Sequence, residues 1–386
     1  MALYKSLVNK VSISPEKKIK QKNYLPAGEL PIIDQGQNLI GGYTEKLELE
    51  LQCNLPVIVF GDHTRAVKYV DFPFCAGADG IKVLEAEDGI YPKYLYYATL
   101  YLVLGLEDRG YARHYQYVEK KEIGVPSIKI QKRIVARIEE LFSELDSGVE
   151  TLKTVKAQLE VYRQAVLQKA FDGDLTNSKL LKFDTLGSYI EKPRYGTSKK
   201  CGYNRGKNST AVYRIPNIDY EAGCIDHSDL KYATFTDTEL KELRLESGDI
   251  LIIRSNGSVS LVGRAAMVEK ADINGTFAGY LMRLRIKDRS VLNPRFLLIY
   301  LQSRKARSHI ESKAKSTSGV NNINAGEVCT LTIPLFNNNE QVKIVESIEA
   351  RLSICDNIKK TVDTALQQAE AMRQSILKKA FEEGGV

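Results

Sequence analysis

The nonapeptide "RQAVLQKAF" occupies residues 163–171 of a 386-residue chain, and "RQSILKKAF" occupies residues 373–381. The repetition extends upstream from each copy. Set without a gap, 131–171 and 341–381 agree at 17 of 41 positions, among them Gln131/Gln341, Ile134/Ile344, Val135/Val345, Ile138/Ile348, Glu139/Glu349 and Asp146/Asp356. Fainter matches pair "YPKYLYYATL" (91–100) with "NPRFLLIYL" (293–301), "FCAGADGIKVL" (74–84) with "FAGYLMRL" (277–284), and the "VPS" before the first repeat with the "IPL" before the second. Such self-similarity marks an internal duplication, which governs the fold before any single motif does.

The duplicated stretch reads as helix. Ile134, Ile138, Leu141, Leu145, Val149, Leu152, Val155, Leu159, Tyr162 and Val166 recur at spacings of three and four; Ile348, Leu352, Cys355, Ile358, Val362, Ala365, Ala369, Met372 and Ile376 do the same in the second copy. Neither interior holds proline, and Gly173 and Gly384 follow as stops. About 40 residues at 1.5 Å each make a rod of roughly 60 Å, and a narrow apolar seam of that length is a coiled-coil signature. A short link, "DGDLTNSK", joins the first rod to a second globule that feeds the second rod. This connectivity predicts antiparallel rods, with both chain ends beside the first globule. The boundaries expected are 1–128 for the first globule, 129–178 for the first helix, 179–336 for the second globule and 337–386 for the second helix. The globules mix strand-like runs ("LPVIVF", "DILIIRS") with short helical ones, an α+β composition.

Bulk properties narrow the function classes. The chain is 43% hydrophobic with a net charge of +7, which suits a polyanionic partner. No run of 18 apolar residues spans a membrane, and the start lacks an apolar signal core. Six scattered cysteines without CxxC argue against structural zinc or a disulfide framework and fit a reducing cytoplasm. Catalytic signatures are missing: no P-loop, no GxGxxG, no adjacent prolines of the (D/N)PP(Y/F) kind, and only an isolated "EKK" at 119–121. His63 beside Asp62 reads as a polar turn.

Basic, amide-rich loops recur in both halves instead. The first offers His63, Thr64, Arg65 and Lys68, then Arg113, His114 and Gln116. The second offers Arg194, Tyr195, Lys199, Lys200 and Arg205, then Arg254, Ser255 and Asn256, then Lys315, Asn321 and Asn322. Arginine and the amides read guanine and adenine edges, while lysine and hydroxyls hold phosphates. These residues are the DNA-binding candidates.

Two variable globules alternating with two long repeated helices resemble the specificity (S) subunits of type I restriction–modification enzymes over essentially the whole chain. The phrases "FGDHTRAVKYVDFPFCAGADGIKVL", "IQKRIVARIEELFSELD", "EKPRYGTSKK", "GDILIIRSNGSVSLVGRAA" and "AKSTSGVNNIN" carry the resemblance. It implies that each globule is a target recognition domain for one half of a split double-stranded DNA site. The helices would then be a spacer and a docking platform for two methyltransferase (M) subunits. S-adenosylmethionine, ATP and Mg²⁺ would belong to the M and restriction (R) subunits, with no cofactor and no catalysis in this chain. The repeated motif nominates Arg163, Gln164, Leu167 and Phe171, with Arg373, Gln374, Leu377 and Phe381, for partner binding. The second helix departs from the first, placing Arg351 and Cys355 where the first has Leu141 and Leu145, so the two helices are not equivalent. A free-standing coiled-coil DNA-binding or scaffold protein is the alternative reading.

Overall fold

In the computed structural model, described for residues 1–77, 80–107, 110, 112–317 and 319–382 with the backbone alone at 315–317, the chain forms two compact units. Unit 1 joins Met1–Thr154 to Val362–Val386, and unit 2 is Val155–Thr361. Gly384 and Val386 lie outside the described residues.

Unit 1 contains strands β1 (Val8–Val11), β2 (Leu30–Ile33), β3 (Gly42–Thr44), β4 (Val57–Gly61), β5 (Val67–Val70), β6 (Cys75–Ala76) and β7 (Ile81–Ala86). Helices α1 (Pro92–Leu104) and α2 (Tyr115–Val118) follow, and then α3 (Ile128–Phe171), which continues into unit 2. Unit 2 contains β8 (Arg194–Tyr195), β9 (Ser209–Tyr213), β10 (Lys231–Thr234), β11 (Ile250–Ile253), β12 (Ser255–Asn256), β13 (Ala265–Met267), β14 (Thr276–Phe277) and β15 (Leu281–Leu284). After these come α4 (Pro294–Tyr300), β16 (Lys315–Thr317), β17 (Val320–Asn322), α5 (Ala325–Cys329) and α6 (Asn338–Glu382), which returns to unit 1.

The duplication seen in the helices also governs the sheets. Unit 1 has an antiparallel sheet ordered β1-β7-β4-β5, and unit 2 has β8-β15-β11-β13. Each unit adds a three-stranded sheet, β3-β2-β6 or β10-β9-β14, in which one pairing is parallel: Ile32 with Cys75, and Val212 with Thr276.

The central strands "VIVFG" and "ILII" are continuously apolar because both faces are covered. Ile58, Phe60 and Leu84 pack on Leu95 and Ala98 of α1, whereas Val57, Val59 and Val83 pack on Ile33, Phe74 and Ala76 beneath the second sheet. In unit 2, Ile250, Ile252, Met282 and Leu284 face α4, while Leu251, Ile253 and Leu281 join Tyr213 and Phe277. The period of two along each strand thus sorts side chains into two layers.

The long helices follow from their sequences. The Asn337 carboxamide caps α6 by accepting from the Glu340 N–H at 2.9 Å. Gly173, at φ +88°, ends α3 in the left-handed region that glycine tolerates. Within each unit the two helices run antiparallel. In unit 1, Ile134, Val135, Ile138 and Phe142 of α3 pack with Leu377 and Phe381 of α6 against Tyr94 and Tyr97. In unit 2, Ile344, Ile348 and Leu352 pack with Val166, Leu167 and Phe171 against Phe296. The seam differs from its sequence reading at three places: Tyr162, Ile358 and Met372 face solvent. In α3 the seam runs through Leu159, Arg163 and Val166 instead.

Candidate nucleic-acid and partner surfaces

The two globules share a loop scaffold that can be traced bond by bond. In unit 2 the Arg254 N–H donates to the Tyr280 carbonyl at 2.9 Å, and the Arg254 carbonyl accepts from the Ile323 N–H at 2.9 Å. In unit 1 the Asp62 N–H donates to the Gly80 carbonyl at 2.6 Å, and the Asp62 carbonyl accepts from the His114 N–H at 2.8 Å. The backbone therefore aligns Asp62 with Arg254, Thr64 with Asn256, and Arg113 with Asn322. The scaffold repeats while the side chains at its tip differ.

In unit 2 three loops that are far apart in sequence converge. Strands β12 and β17 pair, opposing Ser255 to Asn322 and Asn256 to Asn321, and β16 extends the pairing on the far side of β17. The Arg254 guanidinium lies 4.6 Å from the centre of the Tyr195 ring and donates from one terminal nitrogen to the Gly279 carbonyl at 3.0 Å. The Tyr195 hydroxyl accepts from the Ala325 N–H at 2.9 Å. Ser255 is buried, and Asn256, Asn321 and Asn322 are half-exposed. The Lys315 side chain lies outside the described residues.

Arg194, Lys199, Lys200 and Arg205 are exposed. Arg194 pairs with Glu242 at 2.9 Å, while Arg205 lies over the Tyr232 ring. Lys199 bonds the Thr234 carbonyl at 3.1 Å and Glu239 at 2.7 Å, and that ammonium holds the Glu239 carboxyl at about 2. Its charge is spent largely inside the loop.

Unit 1 divides its candidates between surface and interior. Thr64, Arg113 and Gln116 are exposed, and His63 and Arg65 are half-exposed in the β4–β5 turn, where Arg65 adopts φ +62°. Lys68 and His114 are buried, which removes them from the accessible set. The Lys68 ammonium donates to the Asp34 carbonyl at 2.7 Å, and burial lowers its pKa while the Asp34 carboxylate opposes the shift. The His114 Nδ1 sits 3.1 Å from the Asp62 carbonyl. The sequence reading passes over Gln35, whose carbonyl accepts from the Thr64 hydroxyl. Its Oε1 is enclosed with no hydrogen-bond partner among the described residues.

The closing motif, nominated for partner binding, has an internal task that removes Leu167, Phe171 and Leu377 from any open surface. Leu167, Phe171 and Leu377 are buried, and Phe381 stacks on Tyr101 at 5.3 Å. Arg163 pairs with Asp356, as Arg373 does with Asp146, and the Gln164 Oε1 is enclosed; of the eight residues only Gln374 is fully exposed. The apolar side chains fasten the end of each helix to a globule, and the two arginines tie one helix to the other. The exposed large apolar residues of the helices are others: Val161 at 70%, Tyr162, Val342, Ile354 and Ile358 in unit 2, and Ile128, Ile130 and Met372 in unit 1.

Among the described residues no cluster of His, Cys, Asp and Glu could hold a metal ion, and no helix is long and apolar enough to cross a membrane.

No family model matches the sequence. The chain is 32% identical over 267 residues to the StySPI specificity subunit of Salmonella potsdam and 29% identical over 267 residues to the EcoKI specificity subunit of Escherichia coli (strain K12). Each match covers 67% of this chain but 56% of the relative, so the chain spans little more than half the length of those two proteins. Against the EcoR124I/EcoR124II specificity subunit of Escherichia coli, identity is 27% over 376 residues, covering 92% of this chain and 88% of the relative. A solved chain from work on complex assembly and conformational transition of the type I R-M system shares the fold with a TM-score of 0.71 at 16% identity, over 98% of this chain and 96% of that one. The HsdS subunit from Thermoanaerobacter tengcongensis gives a TM-score of 0.52 at 16% identity, over 98% and 95%. Relatives in sequence and neighbours in fold agree: the curated proteins that this chain is similar to are type I restriction enzyme specificity subunits, and its fold is that of HsdS structures.

Proposed function

We propose that this chain supplies DNA sequence specificity to a type I restriction–modification enzyme by reading a bipartite site, one half with each unit. The observation that carries this reading is the repeated loop scaffold with different side chains at its tip. A duplicated frame holding unlike readers suits two unlike half-sites. The proposed readers are Thr64, Arg65, Arg113 and Gln116 in unit 1, and Asn256, Asn321 and Asn322 in unit 2. Lys200 and Arg205 hold phosphates.

The long helices serve as spacer and as docking platform for two methyltransferase subunits, with restriction subunits completing the enzyme. The surface assigned to docking is the exposed Val161, Tyr162, Ile354 and Ile358 on unit 2 and the exposed Met372 on unit 1, since the apolar residues of the closing motif are spent internally. Methyl transfer and cleavage, with S-adenosylmethionine, ATP and Mg²⁺, belong to those partners, and the assembly works in the cytoplasm. The intramolecular use of the apolar seam favours this reading over a scaffold that self-associates through the same seam.

The test is co-purification with methyltransferase subunits from the same source, followed by methylation-site sequencing. A split methylated motif that changes when one unit's loops are exchanged supports the proposal. A chain that carries no methyltransferase, or that transfers methyl groups unaided, refutes it.

A further inference from the structure

The specificity reading leaves open which base the unit 2 loops prefer, and two amides bear on that choice. Asn256 and Asn321 are directly opposed across the antiparallel pair β12 and β17, so their side chains leave the same face. Each commits one end to the backbone. The Asn256 Oδ1 accepts from the Ser258 N–H at 2.9 Å, and the Asn321 Nδ2 donates to the Gly257 carbonyl at 2.9 Å. Those bonds fix the orientation of both groups. A donor, the Asn256 Nδ2, and an acceptor, the Asn321 Oδ1, are left side by side on a half-exposed surface.

A neighbouring donor and acceptor match the major-groove edge of adenine, whose N7 accepts and whose N6 amine donates. Guanine presents two acceptors there, N7 and O6, so the Asn321 oxygen would face another oxygen. The usual reader of guanine, an arginine fork, is not free here: Arg254 spends one terminal nitrogen on Gly279, lies against Tyr195 and has an enclosed Nε. Arg254 and Tyr195 brace the loop. In unit 1 the corresponding backbone positions carry Thr64 and Ala112, which cannot form such a pair.

Resting on the specificity reading, we infer that Asn256 and Asn321 act together as a split amide clamp that selects an adenine in the half-site read by unit 2.

The test is selection of the full chain on duplex DNA with randomised positions, read by sequencing as the ratio of adenine to the other bases. The wild-type chain should enrich a split motif with a fixed adenine in one half. Asn256→Asp keeps the acceptor for Ser258 but removes the outward donor, and Asn321→Ala removes the acceptor. Each should lower the adenine ratio at that one position by roughly tenfold or more, the discrimination of a two-bond base contact, with the other half-site and the melting temperature unchanged. A wild-type split motif in which both folded variants keep the adenine, or lose a different base, overturns the clamp while leaving the specificity reading intact. A wild-type chain that enriches no motif overturns the specificity reading itself.

Discussion

Gln131 and Gln341 hold their helices with the same three hydrogen bonds. The Gln131 Oε1 accepts from the Tyr91 N–H at 2.8 Å, and its Nε2 donates to the carbonyls of Gly89 at 3.1 Å and Pro126 at 2.9 Å. The Gln341 Oε1 accepts from the Asn293 N–H at 2.8 Å, and its Nε2 donates to the carbonyls of Val291 at 2.7 Å and Phe336 at 2.8 Å. Both side chains are 0% exposed. Each latch ties the first turn of a long helix to the loop that starts a globule's helix. Replacing Gln131 or Gln341 with Ala strands buried backbone groups and should cost about 2–4 kcal/mol in urea unfolding. The exposed neighbour Lys129→Ala should stay within about 0.5 kcal/mol.

The two cross-helix ion pairs should respond unequally to truncation. Arg373 pairs with Asp146 and also lies 4.7 Å from the centre of the Phe142 ring, whereas Arg163 pairs with Asp356 beside Leu352, the counterpart of Phe142. Arg373→Ala should therefore cost about 1–2 kcal/mol against about 0.5 kcal/mol for Asp146→Ala, because it loses a cation–π contact as well as a partly exposed pair. Arg163→Ala and Asp356→Ala should differ little. Equal losses for Arg373→Ala and Asp146→Ala would show that the ring contributes nothing.

Alkaline pH should unfold the chain in a defined window. Burial raises the phenols of Tyr4, Tyr97, Tyr115 and Tyr213 well above the ordinary value, and those of Tyr94 and Tyr300 to about 12. Unfolded phenols release protons near pH 10 that the folded chain still holds. The stability contributed is fully present below about pH 10 and falls as pH rises from there toward 12. The phenolate absorbance of these six buried tyrosines should rise together with loss of helical circular dichroism. Ionisation of all 21 tyrosines near pH 10 with ellipticity retained would contradict this.

Salt dependence should separate surface cations from buried ones. Lys200→Ala and Arg205→Ala should each weaken binding to every DNA sequence and lower the salt slope by about one. Lys68→Ala should leave the slope unchanged, because its ammonium is spent on Asp34. Its cost should appear in unfolding as about 1–3 kcal/mol, the loss of a buried bond.

The long helices were legible because their period of three and four is written twice over some 40 residues, which no strand here matches in length. The strands run two to six residues and owe their order to pairings such as Ile32 with Cys75, which no local pattern announces. Gln131 and Gln341 were visible only as identities, since two of the three partners of each are backbone atoms some 40 to 50 residues earlier. The same blindness affected the readers. Arg254 looks like a free fork until Gly279 and Tyr195 are brought to it, and Asn256 meets Asn321 only once β12 and β17 pair. Lys68 carried a readable signal that was passed over: it shares the inward parity of Ala66 and Val70 in "AVKYV".

The discontinuity of unit 1 imposes an order of events during translation. Unit 2 is one uninterrupted segment, and everything it needs has been made once Thr361 has emerged. Met1–Thr154 precede unit 2 in the chain but must wait for Val362–Val386, so they stay incomplete while unit 2 is made. Until Leu377 and Phe381 arrive, the apolar face of Tyr94, Tyr97, Ile134, Ile138 and Phe142 lacks its cover. A nascent chain stalled after Thr361 therefore carries a finished second globule and a first globule with an open hydrophobic face, the kind of surface that chaperones and proteases recognise. A segment made after unit 2 thus acts as a completion check on one made before it.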